Sequence, residues 1–295
     1  MIRYPYKILT ALMVMMLTVS TATAAVTVGG KNFTEQLLMA EMTTQLLEAN
    51  GYDANKRDGM GSTVLRKAQV NGQIDVYWEY TGTSLVTYNK MDPKGLSAAE
   101  TLKKVRKADM EKGLVWLQCS DANNTYALAV KKGDGDTANI EALSDLAEAY
   151  NEGRELVMAV NAEFPHREDG LVGLQKMYDF RVPRSLRAPM ESGLTYGALR
   201  QDEADIALVF ATDGRIAAFD FRVLADDKGF FPNYALCPVV RKETLDANPE
   251  LRDILNELSS RLDDSTMQRL NKSVDVDKNT IEDVARGFLK EQGLI

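Results

Sequence analysis

The sequence is poor in the residues that most often carry out chemistry. Its 295 residues include one histidine, His166, and two cysteines, Cys119 and Cys237. A metal site of imidazole and thiolate ligands therefore lacks its donors. There is no Gly-x-Ser-x-Gly elbow, no complete phosphate-binding glycine loop and no Cys–His pairing near a recognisable motif; Gly30-Lys31 is only a fragment of such a loop. Adjacent acids such as Asp226-Asp227 and Glu168-Asp169 read as solvated loops rather than acid–base pairs. A protein that is not an enzyme, with no metal and no cofactor, is expected. Positive charge is also in deficit: 35 Lys and Arg against 43 Asp and Glu leave −8, so nucleic acid is not an expected partner.

Long apolar runs are missing as well. The one hydrophobic stretch, within residues 1–24, follows Arg3 and Lys7 and ends on Ala22-Thr23-Ala24, the layout of a secretory signal cleaved near Ala24. It is short for a membrane span, which needs about 20 residues, and no stop-transfer segment follows. No cysteine near the cleavage point offers a lipid attachment, so a freely diffusing periplasmic protein is expected. In that oxidising compartment the two cysteines either bridge or sit as small buried apolar side chains. At 45% hydrophobic and 26% charged, the remainder has the composition of a folded globule of one large or two medium domains.

Strand and helix alternate along the chain. Residues 26–29 read as a strand and 33–50 as a helix, with Phe33, Leu37, Leu38, Met42, Leu46 and Leu47 near helical spacing and Asn32 with Glu35 as its cap pair. A helix over 62–70, a strand over 74–80 and a helix opening at Gly82-Thr83 follow. Residues 97–112 are helical with Ser97 and Glu100 as a capping box, and 114–119 form a strand before the turn at 121–124. Past that turn the pattern restarts, with strands at 125–130, 156–160 and 205–210 between helices near 140–150, 171–178 and 194–201. From Pro238 onward the chain reads as mainly helical. The class is α/β.

One stretch echoes another. Ile74-Asp-Val-Tyr-Trp-Glu-Tyr80-Thr-Gly matches Ala204-Asp-Ile-Ala-Leu-Val-Phe210-Ala-Thr-Asp-Gly in placing an aspartate five residues before an aromatic and then turning through glycine. Either the halves are related lobes, with Tyr80 and Phe210 at equivalent strand ends, or any helix-turn-strand unit looks like this. Ligands of open α/β sheets bind at strand C-terminal ends and at domain seams. Tyr80, Tyr126, Phe210 and Tyr234 fall at such places, and a ring of aromatic faces suits a cation with no N–H, at about 0.5 to 2 kcal/mol per contact. Each alone is more often a core aromatic. Lys31, beside a helix start, and Arg167, in an irregular segment, are candidates to hold a carboxylate, although an isolated Lys or Arg is ordinarily a solvated surface residue.

Several segments in order carry a family resemblance: Gly29-Gly-Lys-Asn-Phe-Thr-Glu-Gln36, Tyr77-Trp-Glu-Tyr-Thr-Gly-Thr83, Asn123-Asn-Thr-Tyr-Ala127, Glu163-Phe with Arg167-Glu-Asp-Gly170, Thr212-Asp-Gly-Arg-Ile216, Asp226-Asp-Lys with Phe230-Phe-Pro, and Pro238-Val-Val-Arg241. The chain resembles the osmoprotectant-binding proteins of ABC transporters, the glycine betaine, choline and proline betaine family. The resemblance implies a type II periplasmic-binding-protein fold, two α/β lobes joined by a two-strand hinge, here 25–122 plus 236–295 and 123–235. It implies an aromatic box of Tyr80, Tyr126, Phe210 and Tyr234 around a quaternary ammonium, with Lys31 and Arg167 on the carboxylate, Thr83 adding a hydroxyl, and Tyr196 a weaker candidate. Phe210 stands where the family's box often has tyrosine, which keeps the ring and loses the hydroxyl. A disulfide between Cys119 and Cys237 near the hinge is also implied. The expected partners are the small osmolyte and the permease's transmembrane subunits, with the binder a monomer. Choline, carnitine or an amino-acid-like solute, and a periplasmic sensor role, are the alternatives.

Overall fold

Val26, Thr27 and Val28 open the described chain, residues 25–295 of a computed structural model, as a strand; the expected signal over 1–24 lies outside the described residues. This strand, β1 (Val26–Lys31), needs its two glycines, because a Cβ on Gly29 would come 2.6 Å from Leu65 Cδ1 and one on Gly30 2.9 Å from Asp58 Cβ. There follow α1 (Thr34–Ala49), β2 (Ala54–Met60), α2 (Ser62–Val70), β3 (Val76–Tyr80), a π-helical turn (Thr83–Tyr88), α3 (Ala98–Met110) and β4 (Leu114–Trp116). After a crossing come β5 (Tyr126–Lys131), α4 (Leu143–Asn151), β6 (Met158–Asn161), α5 (Leu171–Tyr178), β7 (Arg187–Met190), α6 (Thr195–Arg200), β8 (Ile206–Phe210), α7 (Arg215–Ala218) and β9 (Phe221–Val223). A second crossing leads to β10 (Leu236–Arg241), then α8 (Lys242–Ala247), α9 (Leu251–Ser259), α10 (Asp264–Asp275) and α11 (Ile281–Glu291). No described helix is long and apolar enough to cross a membrane.

The strands make two five-stranded sheets, ordered β2-β1-β3-β10-β4 and β7-β6-β8-β5-β9. Position for position they have the same sense: three parallel strands, then an antiparallel pairing to β10 or β5, then another to β4 or β9. The echo between residues 74–82 and 204–214 is thus a duplication in space. Asp75 Oδ2 accepts from Thr27 N at 2.8 Å, and Asp205 Oδ2 accepts from Val157 N at 2.6 Å. Each aspartate tethers a parallel neighbour, and each strand it precedes ends on an aromatic, Tyr80 or Phe210.

β10 and β5 are the strands that enter from a crossing. The two crossings run antiparallel, joined by Asn124 N to Tyr234 O at 3.2 Å, Leu236 N to Ala122 O at 3.1 Å and Ser120 N to Leu236 O at 2.9 Å. A disulfide between Cys119 and Cys237 ties them beside the first sheet. The fold is of the two-sheet α/β type expected.

Several local expectations change. Asn32 and Glu35 do not cap α1; extended Phe33 takes the cap position, with no side-chain bond to the helix. Both side chains have other partners, Asn32 at Glu191 and Glu35 in a buried cluster described below. Ser97 and Glu100 do form the expected capping box of α3. Pro238 does not begin a helical region; it lies inside β10, with helices starting only at Lys242. Leu117 N donates to Pro238 O at 3.0 Å, and Leu117 O, opposite a residue with no N–H to give, accepts from Arg106 Nη2 at 2.7 Å. The sheet edges β2 and β7 were not foreseen, because Ala-Asn-Lys-Arg-Asp-Gly-Met and Arg-Ala-Pro-Met lack a strand's apolar pattern.

Candidate functional site

The parallel strands of both sheets deliver their C-terminal ends to one cavity between the sheets. β1 ends on Lys31, β3 on Tyr80, β8 on Phe210, and the segment after β6 brings Glu163 and Arg167. The cavity holds about 170 Å³. That far exceeds the roughly 10–15 Å³ one water needs, yet is below the several hundred Å³ of drug-sized pockets, so a small solute fits.

Aromatic rings form one wall. Phe33 and Phe210 stack with centroids 5.4 Å apart and 11° between planes, and Phe33 lies 6.3 Å from Tyr80. Tyr126 continues the wall at 5.3 Å from Phe210, and Tyr234 meets it edge-on at 5.6 Å. Phe33 is the ring that sequence reasoning missed: its spacing placed it on the apolar face of α1, whereas its extended backbone turns it out of the helix. Gly82 leaves the room that Tyr234 occupies, since a Cβ there would sit 2.8 Å from Tyr234 Cε1. Burial raises the phenol pKa of Tyr126 to about 12 and pushes those of Tyr80 and Tyr234 well above the ordinary range, so these hydroxyls stay neutral donors.

The two cations at the cavity already have partners. Lys31 Nζ lies 2.5 Å from Glu79 Oε1 and 4.7 Å from the centre of the Tyr80 ring. Glu79 also accepts from Tyr77 Oη at 2.8 Å. Arg167 donates to Asp169 through Nε at 2.8 Å and Nη2 at 2.5 Å, and Tyr234 Oη donates to the same carboxylate at 2.8 Å. Arg167 Nη2 also reaches Thr83 Oγ1 at 3.3 Å, while Nη1 has only a long 3.5 Å approach to Glu163. That nitrogen is the least committed donor of the guanidinium.

Contacts cross the cavity between the two sheets. Ser62 N donates to Glu163 Oε1 at 3.0 Å and Asn32 Nδ2 to Glu191 Oε2 at 3.3 Å, alongside the Thr83–Arg167 contact. Glu35, in the first turn of α1, accepts from Tyr80 Oη at 2.7 Å, Asn124 Nδ2 at 2.8 Å, Thr212 Oγ1 at 2.5 Å and Asn271 Nδ2 at 3.3 Å. Burial raises its pKa, outweighing these four neutral donors.

Lys31, Thr83, Tyr80, Tyr126, Arg167, Phe210 and Tyr234 therefore all line one cavity. Tyr196 does not. It is fully buried behind Phe210, its hydroxyl accepting from Phe210 N at 2.9 Å and its ring lying 3.9 Å from the Arg215 guanidinium, so it supports the wall from outside.

Residues 24–291 match the family model described as the substrate-binding domain of the ABC-type glycine betaine transport system. A protein of Pseudomonas aeruginosa named glycine-betaine-binding protein is 42% identical over 274 residues, covering 91% of this chain and 88% of its own. The ergothioneine transport permease/ergothioneine binding protein EgtU of Helicobacter pylori is 37% identical over 90% of this chain, which spans 47% of that longer protein. A solved structure of a glycine betaine/carnitine/choline ABC transporter protein superposes with a TM-score of 0.72 at 30% identity, over 91% of this chain and 99% of that one. The paired sheets, the cavity at their strand ends and these matches over nearly all the described residues agree: the chain belongs to the substrate-binding domains of ABC-type glycine betaine transport systems.

Proposed function

We propose that the chain captures a small quaternary-ammonium osmolyte, glycine betaine or a related betaine, in this cavity and delivers it to the permease subunits of its importer. The observation that carries the reading is the convergence of Phe33, Tyr80, Tyr126, Phe210 and Tyr234 on one small cavity. A trimethylammonium group offers no hydrogen-bond donor, so ring faces are the means of holding it, at about 0.5 to 2 kcal/mol each. Lys31, Arg167 and Thr83 take the carboxylate end, with Arg167 Nη1 the donor left over for it. The lobes are 25–122 with 236–295, and 123–235. A ligand touching both stabilises their closed arrangement, because only that arrangement offers all its contacts. The Cys119–Cys237 disulfide supports a periplasmic location, since such bonds persist in oxidising compartments.

One observation favours a second ligand. Lys31 is paired with Glu79 and Arg167 with Asp169, while Glu163 and Glu191 add carboxylates to the lining. That balance suits a net cation, choline, better than a solute bringing its own carboxylate. Calorimetric titration of the chain, unfolded and refolded to strip carried-over solute, against glycine betaine, proline betaine, choline, carnitine and a basic amino acid tests both. Saturable binding of a betaine supports the first reading and a preference for choline the second. Silence from every quaternary amine overturns the function.

A further inference from the structure

The cluster around Glu35 has an arrangement that packing alone does not explain. Its carboxylate is bonded to the box at every corner it can reach. Glu35 stands two residues after Phe33, Asn124 two before Tyr126, Thr212 two after Phe210, and Tyr80 donates to it directly. These groups come from both sheets and from a crossing. One carboxylate therefore fixes four of the five rings with respect to one another. Neutral donors can do that for a neutral acceptor equally well, and burying an unpaired carboxylate is costly. Among the described residues no Lys, Arg or His forms an ion pair with it, while Lys31 and Arg167 are already neutralised by Glu79 and Asp169. When ionised, this carboxylate has no counter-ion behind the rings, and the space in front of them is the cavity.

We propose that Glu35 is the counter-charge of the aromatic box, a positioning residue that acts through Tyr80 and makes the cavity prefer a permanent cation to a neutral group of the same shape. The proposal rests on the quaternary-ammonium reading above. Tyr80 keeps its proton and donates a hydrogen bond to Glu35; with the carboxylate ionised, this pushes electron density into the ring and strengthens its faces towards a cation, one of which already carries Lys31 Nζ at 4.7 Å. The carboxylate itself adds Coulomb attraction through low-dielectric surroundings. A bound cation supplies the positive charge that the protein withholds, so the empty site is strained electrostatically and the filled one is not.

The ligand and its tert-butyl isostere, in which carbon replaces the quaternary nitrogen, separate charge from shape. Glu35→Gln keeps size and an acceptor for Tyr80. In the full mature chain it is expected to weaken glycine betaine or choline about tenfold and the matching isostere less than about twofold. Equal losses for both would mean that Glu35 only holds the rings in place, and the proposal falls. If the wild type binds neither quaternary amine, it is the functional reading that has failed instead. Should Glu35→Gln not fold, the wild type answers through pH. Its preference for the cation over the isostere is expected to shrink as pH falls through Glu35's raised pKa, because protonation removes the counter-charge. The other charged groups facing this cluster are Asp275, bonded to Thr34 and paired with Arg215, Asp213, also on Arg215, and the Lys31–Glu79 pair. Glu163, Glu191 and Arg167, the last paired with Asp169, also line the cavity, and these carboxylates favour the cation over the isostere as well. The pH profile is therefore repeated in Glu163→Gln and Glu191→Gln: a loss of preference that persists there is assigned to Glu35, and one that disappears there overturns the proposal. A preference unchanged by pH overturns the proposal.

Discussion

Phe210 lacks the hydroxyl that a tyrosine would bring, and its neighbours show how the ring is held without one. Its backbone N–H goes to Tyr196 and its ring is fixed between Phe33 and Tyr126. Tyr196→Phe leaves that half-buried N–H unpaired and is expected to cost about 1 kcal/mol in urea unfolding, with ligand affinity nearly unchanged. Phe33→Ala removes a box face and is expected to weaken a quaternary amine about tenfold, read by titration calorimetry, while stability changes less. Arg167→Ala is expected to weaken a betaine more than choline, and equal losses would remove Arg167 from the carboxylate end. Tyr80 and Phe210 were legible because each ends a strand visible in the sequence, whereas Tyr126 and Tyr234 do not end strands but stand at the start of β5 and just before β10, so their place at the crossings was legible only through the family resemblance. Phe33 and Glu35 were not, because helical periodicity assigned one to an apolar face and the other to a cap. The donors that Glu35 accepts from include Asn124, Thr212 and Asn271, residues 89, 177 and 236 positions away, and no local pattern reports that.

At the scale of elements, Asp109 on α3 holds four pieces of the first sheet's surroundings together. It pairs with Arg66 of α2, accepts from Ser84 in the π-helical turn at 2.9 Å, from Asn89 at 3.0 Å, and from Trp116 of β4 at 2.8 Å. Burial pushes its pKa up, but Arg66 and the hydrogen bonds together hold it below the ordinary 3.8. A carboxyl depressed in the folded state contributes stability that is present above its unfolded value and is lost as pH falls through the folded one. Asp109→Ala strands the Arg66 charge and is expected to cost about 3–5 kcal/mol at neutral pH. Its deficit against wild type should narrow below about pH 4, which acid-unfolding curves of the two proteins would show. Gly82→Ala acts on the site from another element: the added methyl displaces Tyr234, and affinity is expected to fall while α3 and β4 are untouched. Helices with caps or long apolar spacing were legible at this scale, whereas polar β2 and proline-bearing β7 became strands only because β1 and β6 offered edges to pair with.

For the whole molecule, the Ser62–Glu163 and Asn32–Glu191 contacts join residues on either side of the cavity, and on the proposed two-lobe reading they favour closure. Glu163→Ala is expected to give a larger radius of gyration by small-angle scattering without ligand and a weaker affinity; an unchanged radius would mean this contact does not bias closure. The Cys119–Cys237 disulfide closes a separation of 118 residues, and replacing both cysteines by serine is expected to cost about 2–4 kcal/mol in denaturant unfolding. The insertion of β10 between β3 and β4 also sets an order of assembly. All five strands of the second sheet lie in one continuous stretch from Tyr126 to Val223, so that sheet can form from its own residues. The first sheet, although it starts the described chain, has a gap beside β3 until Leu236–Arg241 arrives from beyond the second. The half encountered first is therefore expected to be completed last, after a long loop has closed. Cys119 meets Cys237 only when β10 docks, so the disappearance of free thiol during oxidative refolding is a clock for the final step.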